Sequence, residues 1–322
     1  MIMIIVSAII SFAITAILAP FFIPMLRKLK FGQSIKEIGP SWHKNKEGTP
    51  TMGGIIFTLA ILVTFAVVSV FFLKAFDKRA VAVLLCAIGF GIIGLVDDFI
   101  KVALKRNQGL TSIQKIILQV LICIAFLLFL KVNGLLSTII VIPFTTISID
   151  FGIFYYILAI PFMVYMVNAV NLTDGVDGLA ASVTVPVMIA FLLISFNVGA
   201  YGMTILAAAT IGGCLGFLIY NLHPASIFMG DTGSLFLGGM LVAIGIALNN
   251  PIAIIICGFV YVFEALSVVI QVVSFKLTKK RVFKMSPIHH HFEMCHWSES
   301  KIVYVFTIVS IICSILGYIS IR

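Results

Sequence analysis

Residues 178–230 read GLAASVTVPVMIAFLLISFNVGAYGMTILAAATIGGCLGFLIYNLHPASIFMG, 53 residues without one Asp, Glu, Lys or Arg. A helix that crosses a bilayer needs about 20 mostly apolar residues. The stretch therefore holds two such helices, and SFNVGAYG (195–202) has the composition of the turn between them. Only helices and closed barrels satisfy every backbone group in lipid, and this run is too long and too apolar for barrel strands.

The same pattern continues in both directions. Upstream, charge-free runs cover 1–26, 48–73, 80–96, 116–130, 132–149 and 151–173; downstream they cover 232–263, 265–275 and 302–321. The 232–275 region, broken only by Glu264, holds two spans split by Asn249, Asn250 and Pro251. Of 322 residues 61% are hydrophobic and 10% charged, where a soluble protein carries about a quarter charged. These runs predict an all-α polytopic membrane protein with ten transmembrane helices, forming one domain over 1–322. The first run has no basic leader region and no small-residue cleavage site, so it reads as a retained helix. The six cysteines show no metal-ligand spacing and read as small buried hydrophobes.

Net charge is +9, which in this chain points to topology and not to nucleic acid. With ten spans, the connections 27–50, 97–115, 171–178, 220–234 and 276–301 share one side and carry 16 of the 21 Lys and Arg. Lys74, Lys78, Arg79, Lys131 and Arg322 are on the other. The excess of basic residues on cytoplasmic loops then predicts both termini outside. The acids follow: Glu37, Glu47, Asp97, Asp98, Asp174, Asp177, Asp231, Glu293 and Glu299 fall inside, Asp77 and Asp150 outside, and Glu264 within a span. Polar chemistry gathered on one face suits an enzyme at the membrane surface. A secondary transporter, the rival of another class, places its sites near the midplane, where only Glu264 qualifies. The outer segment LLSTIIVIPFTTISIDFG (135–152) reads as a short hairpin lying on the membrane.

Five inner segments carry the candidate chemistry. SWHKNKEGTPTMGG (41–54) ends in glycines and threonines at a helix entrance, beside Lys44 and Lys46, and suits a phosphate as well as a solvated basic loop. GLVDDFIKVALKRNQG (94–109) places Asp97 and Asp98 at a membrane edge, where adjacent carboxylates are costly unless neutralised. Mg²⁺ does this through one or two carboxylates plus substrate phosphates. Lys101 faces both acids at helical spacing. NAVNLTDGVDGLAAS (168–182) sets Asn168, Asn171, Asp174 and Asp177 at steps of three, one polar stripe if helical, with Gly175 and Gly178 admitting a ligand to the backbone. YNLHPASIFMGDTGSLFLGG (220–239) holds a lone Asp231 between Gly230 and Gly233, with Ser234 at a helix start and Phe228 available to stack on a base; His223 reads as a span cap. KMSPIHHHFE (284–293) presents His289, His290 and His291, which cannot all point one way on a helix and read as phosphate donors sooner than as a zinc site. Glu264 reads equally as a functional group and as an internal hydrogen-bond partner. Carboxylates for a divalent metal, glycines for phosphate, and Lys and His together fit phosphoryl transfer.

GTPTMGG, VDDF, NLTDGVDGLA, FMGDTGSL and PIHHHFE, in this order from the first inner loop to the last, resemble the bacterial phospho-N-acetylmuramoyl-pentapeptide transferases. These are a branch of the polyprenyl-phosphate N-acetylhexosamine-1-phosphate transferases. The resemblance implies a ten-helix homodimer in the bacterial cytoplasmic membrane with its active site on the cytoplasmic face. The implied reaction transfers phospho-MurNAc-pentapeptide from UDP-MurNAc-pentapeptide to undecaprenyl phosphate, giving lipid I and UMP, with Mg²⁺. By the family pattern Asp97 and Asp98 are the catalytic pair, with Asp97 the base on the lipid phosphate, and Asp231 is the Mg²⁺ ligand. Asn171, Asp174, Gly175, Asp177, Asn221 and Phe228 match the uridine and sugar-phosphate pocket, with Gly230, Ser234 and Lys101 beside it. Lys46 matches a first-loop lysine. Gln271 and His289–His291 match the substrate-side wall, His289 among the catalytic groups. An Arg expected near Tyr304 or Phe306 is absent. A sibling enzyme using UDP-GlcNAc shares the carboxylate loops, but PIHHHFE resembles the muramoyl branch better. A CDP-alcohol phosphotransferase wants an Arg soon after the D-G pair and a later D-x₃-D, and DGLAASVTV has neither.

Overall fold

A computed structural model describes residues 1–28, 46, 48–104 and 108–321. Lys30, Lys36, Glu37, Lys44, Glu47, Lys105, Arg106 and Arg322, used in the charge count or the first-loop reading, lie outside the described residues. The chain runs α1 (Ile2–Lys28), α2 (Gly54–Val68, prolonged by a π turn at Ser69–Leu73), α3 (Lys78–Ala103), α4 (Ser112–Val132), β1 (Ile139–Val141), β2 (Ser148–Asp150), α5 (Ile153–Thr173), α6 (Leu179–Asn197), α7 (Tyr201–Asn221), α8 (Gly230–Ala247), α9 (Pro251–Cys257), α10 (Phe259–Thr278), α11 (Ile288–Glu293) and α12 (Glu299–Ile319). Among the described residues ten of these helices are long and apolar enough to cross a membrane, all but the short α9 and α11. The molecule is an all-α polytopic membrane protein, as the charge-free runs require.

Local sequence sets the ends. Asp77 accepts from the amide of Arg79 and caps α3. Thr111 and Gln114 form a reciprocal capping box on α4, and Ser298 caps α12 through the Lys301 amide. Each cap meets a donor that a helix start leaves open. The Asn249–Pro251 split separates α8 from α9, with Pro251 in the first turn, where its missing N–H costs nothing. The ninth crossing breaks again at Gly258, between α9 and α10.

Burial sorts the helices by composition. α8 has the lowest mean hydropathy of the spans, 1.4, and is 89% buried over its best window; α1 has 2.7 and is 22% buried. Lipid demands apolar surface, whereas an interior helix can satisfy its polar groups on neighbours. α8 packs most closely on α3. At their contact a Cβ on Gly94 would lie 2.1 Å from the carbonyl oxygen of Asp231. This glycine, one turn before Asp97, brings the end of α3 against the start of α8.

The 135–152 segment forms the expected hairpin, with Ile139 opposite Asp150 and Val141 opposite Ser148. The Thr138 hydroxyl and the Gly152 amide, both donating to Asp150, hold its carboxyl below the usual range. The polar stripe at 168–177 is corrected. α5 ends at Thr173, and Asp174–Gly178 form a turn, because two glycines in four residues favour a break. Four of the cysteines are buried, as expected; Cys295 and Cys313 are partly exposed.

Candidate active site

Asp97 and Asp98 stand side by side in the last two turns of α3, and a helix turns adjacent residues about 100° apart. They therefore meet different partners. Asp98 accepts from the amide and hydroxyl of Thr232, at 2.9 and 2.7 Å, and from the Asp231 amide at 3.3 Å. It caps the N-terminus of α8 from a neighbouring helix, where the open amides favour an anion. Asp97 turns toward α4. Its Oδ1 accepts from the Leu110 amide at 2.7 Å, and its Oδ2 lies 2.6 Å from Lys101 Nζ and 2.9 Å from Lys115 Nζ.

The same two ammonium groups hold Asp231. Lys115 Nζ is 2.6 Å and Lys101 Nζ 3.2 Å from its Oδ2, while the Asn171 amide donates to its Oδ1 at 3.1 Å. Asn171 also donates to the Ser234 hydroxyl, which donates to the Gly230 carbonyl. One oxygen from each of Asp97, Asp98 and Asp231 lies within 4.8 Å of the others, a spacing that can hold a metal ion. Asp97 and Asp98 are buried, whereas Asp231, Lys101 and Lys115 keep part of their surface open. Gly230 has a φ of +69°, and a Cβ there would come within 2.5 Å of an Asp98 oxygen, so both backbone and space select glycine.

A second polar centre lies at the same end of the bundle. Lys46 Nζ bridges Asp177 at 2.7 Å and Glu299 at 2.6 Å. The other Asp177 oxygen is 3.0 Å from His223 Nδ1 and accepts from the Ala225 amide. Glu299 sits in the first turn of α12, a favourable place for an acid. Buried Asn221 joins two loops, accepting from the Gly178 amide and donating to the Ile227 carbonyl. Half-buried Phe228 ties the first loop to this region through its backbone: its amide donates to Pro50, and its carbonyl accepts from Gly53. An apolar cavity of about 550 Å³ starts at Asp177 and His223 and runs between α6, α7 and α12. Asp174 stands electrostatically between the two centres. Burial first, then the charges of Asp231, Asp98 and Asp177, push its carboxyl well above the usual range, against the opposing pull of Lys46.

The histidines point three ways, as a helix dictates. His289 Nδ1 lies 3.0 Å from Glu264 Oε2, His290 pairs with Glu293, and His291 Nδ1 accepts from the Lys284 amide. Gln271 uses its amide on the neighbouring loop, accepting from the Val282 and Phe283 amides and donating to the Phe283 carbonyl.

Of the acids on the inner loops, the structure brings Asp97, Asp98 and Asp231 together, with Lys101, Asn171 and Ser234 around them. Lys46, Asp177 and Asn221 assemble the adjoining centre instead of joining the first. Asn168 leaves the group: its side chain exchanges hydrogen bonds with Gln119 of α4. His223 is a partner of Asp177 and not merely a span cap. Sequence reading missed Lys115, Glu299 and Thr232. Lys115 had a signal, being the last cation before the charge-free run that makes α4 and following a T-x-x-Q cap. Thr232 had none, since only the approach of α3 to α8 gives it a partner.

Residues 80–249 match the family model described as glycosyl transferase family 4, and residues 46–57 match phospho-N-acetylmuramoyl-pentapeptide-transferase signature 1. That signature begins at Lys46 and ends in α2. Curated relatives carrying the name phospho-N-acetylmuramoyl-pentapeptide-transferase include one from Halalkalibacterium halodurans, 51% identical over 97% of this chain and 95% of its own. One from Clostridium botulinum is 50% identical over 96% and 94%, and one from Clostridioides difficile 48% identical over 98% and 97%. Identity at this level over nearly the whole length, together with the two model matches, makes the chain an enzyme that belongs to the phospho-N-acetylmuramoyl-pentapeptide-transferase family.

Proposed function

We propose that the chain transfers phospho-MurNAc-pentapeptide from UDP-MurNAc-pentapeptide to undecaprenyl phosphate, giving lipid I and UMP, at the cytoplasmic face of the bacterial inner membrane. The observation that carries this reading is the pair of ammonium groups, Lys101 and Lys115, shared between Asp97 and Asp231 beside the end of the spanning helix α3. Two anionic substrates must meet there, and their charges repel unless fixed cations hold them. The donor's name comes from the relatives, and the membrane setting from the ten apolar helices.

In the reaction an oxygen of the acceptor phosphate attacks the sugar-linked phosphorus, a P–O bond forms, and the bond to the UMP oxygen breaks. Lys101 and Lys115 orient phosphate oxygens and hold them against repulsion. Asp97, turned toward α4, takes the acceptor phosphate's proton. Asp98 keeps the N-terminus of α8 in place, and with it Asp231. Lys46, Asp177, Asn221 and Phe228 form the wall for the uridine end.

The donor set fits Mg²⁺. All three ligating groups are carboxylates, and Asp98 is already occupied by Thr232. Asp231, the most open of the three, would hold the ion, since Mg²⁺ takes one or two carboxylates together with substrate phosphates. When bound, the ion neutralises charge on the donor diphosphate.

The test is purified protein with UDP-MurNAc-pentapeptide, undecaprenyl phosphate and Mg²⁺, scored for UMP release. Release is expected with this donor and not when UDP-GlcNAc replaces it. Folded protein that releases no UMP would overturn the reading, and turnover of UDP-GlcNAc alone would move the chain to the sibling activity.

A further inference from the structure

Glu264 is a carboxyl in the interior of α10, fully buried, in a helix only 28% buried over its best window. A carboxyl at this depth is costly and is retained where it has a partner and a use. Its partner comes from outside the span: His289 of α11, with Nδ1 3.0 Å from Oε2. The contact leaves two buried atoms without a hydrogen bond, Oε1 of Glu264 and Nε2 of His289. One imidazole–carboxylate bond engages one nitrogen and one oxygen, so the other two atoms call for partners of their own, and buried orphans mark strain, a missing water or function.

The open nitrogen has a direction. A Cβ on Gly175 would lie 2.3 Å from His289 Nε2 and 2.7 Å from Cε1. Gly175 has no positive φ, so its place in the Asp174–Asp177 turn reflects the ring it faces and not a backbone need. His290 Nδ1 likewise meets a carboxylate, that of Glu293 on its own helix, whereas His291 Nδ1 accepts from the Lys284 amide. The backbone oxygen of Glu264 accepts from the Ser267 hydroxyl at 2.7 Å.

We propose that Glu264 is a positioning residue for the transfer reaction: it accepts the Nδ1 proton of His289 and fixes the ring with Nε2 presented to the Gly175 turn, where it accepts from a hydroxyl of the nucleotide-sugar. A carboxylate behind an imidazole fixes its tautomer and orientation, as outer partners do for other working histidines. With Nδ1 committed, Nε2 is the working atom. The inference rests on the proposed function, because it needs His289 to act on that substrate.

The experiment is a double-mutant cycle on the full-length protein in nanodiscs, with Glu264→Gln, His289→Gln and both together, assayed for UMP release over a range of UDP-MurNAc-pentapeptide. Glu264→Gln is expected to lower kcat about tenfold or more, with KM changed less than about threefold. In the His289→Gln background the same change is expected to do nothing beyond about twofold. A wild-type protein without UMP release would sink the proposed function itself. With an active wild type, full kcat in Glu264→Gln, or an equal loss with and without His289, would overturn the positioning role. ¹⁵N-histidine NMR of the wild type, assigned by difference from His289→Gln, keeps the inference testable if Glu264→Gln does not fold. Nδ1 of His289 is expected to carry a proton, and a bare Nδ1 would refute the proposal.

Discussion

Asp97 and Asp98 are adjacent, both buried and chemically identical, yet the structure gives them different partners. Asp97→Asn keeps the shape and loses the acceptor between two lysines, so kcat is expected to fall about 10²–10⁴-fold, the range for loss of a general base. Binding of UDP-MurNAc-pentapeptide by calorimetry should stay close to wild type, and near-normal turnover would remove Asp97 from the chemistry. Lys115→Met deletes one of two phosphate-holding cations, with an expected loss of about 10²–10³-fold in kcat, read in the same assay. Asp174 makes a prediction about pH. Its folded carboxyl binds its proton more tightly than the unfolded one, so its favourable contribution is present below the unfolded value near pH 4 and is lost as pH rises through the folded value. Asp174→Asn is therefore expected to unfold at a higher temperature than wild type at about pH 7 in chelator, with the difference closing toward about pH 4. A variant less stable at neutral pH would contradict this.

At the scale of elements, the site depends on how closely α3 approaches α8. Thr232→Val removes one of the hydroxyl and amide donors that tie Asp98 to the start of α8. The loss of a cap contact is worth about 0.5–2 kcal/mol, so a fall in Tm is expected with UMP release reduced in parallel. Gly94→Val should be more severe, because a side chain there meets the Asp231 backbone and not a flexible group. The break at Asn249–Pro251 was legible, because proline cannot continue a span, whereas the caps at Thr111 and Ser298 emerged with the structure. The polar stripe was misread because spacing at three implies one helical face only while the helix lasts, and Gly175 and Gly178 stop it.

At the scale of the molecule, the charge asymmetry predicts which end of the bundle faces the cytoplasm. A single cysteine at position 108, in the α3–α4 connection, should be shielded from an impermeant thiol reagent in intact cells and react after permeabilisation. Labelling from outside would reverse the topology and carry every site residue to the other face. The sequence by itself determined the spans, their number and the residue types of the site. Span length against bilayer thickness is a local property, and so is the need for carboxylate, glycine and cation near phosphate. Only the tertiary structure decided which cation serves which acid. Lys115 joins Asp97 and Asp231 from a third helix, Lys46 turns instead to Asp177 and Glu299, and Glu264 finds His289. These pairings span 18 to 253 positions in the chain. Charges and hydrogen bonds act over a few ångströms, so partners are chosen by how the helices pack.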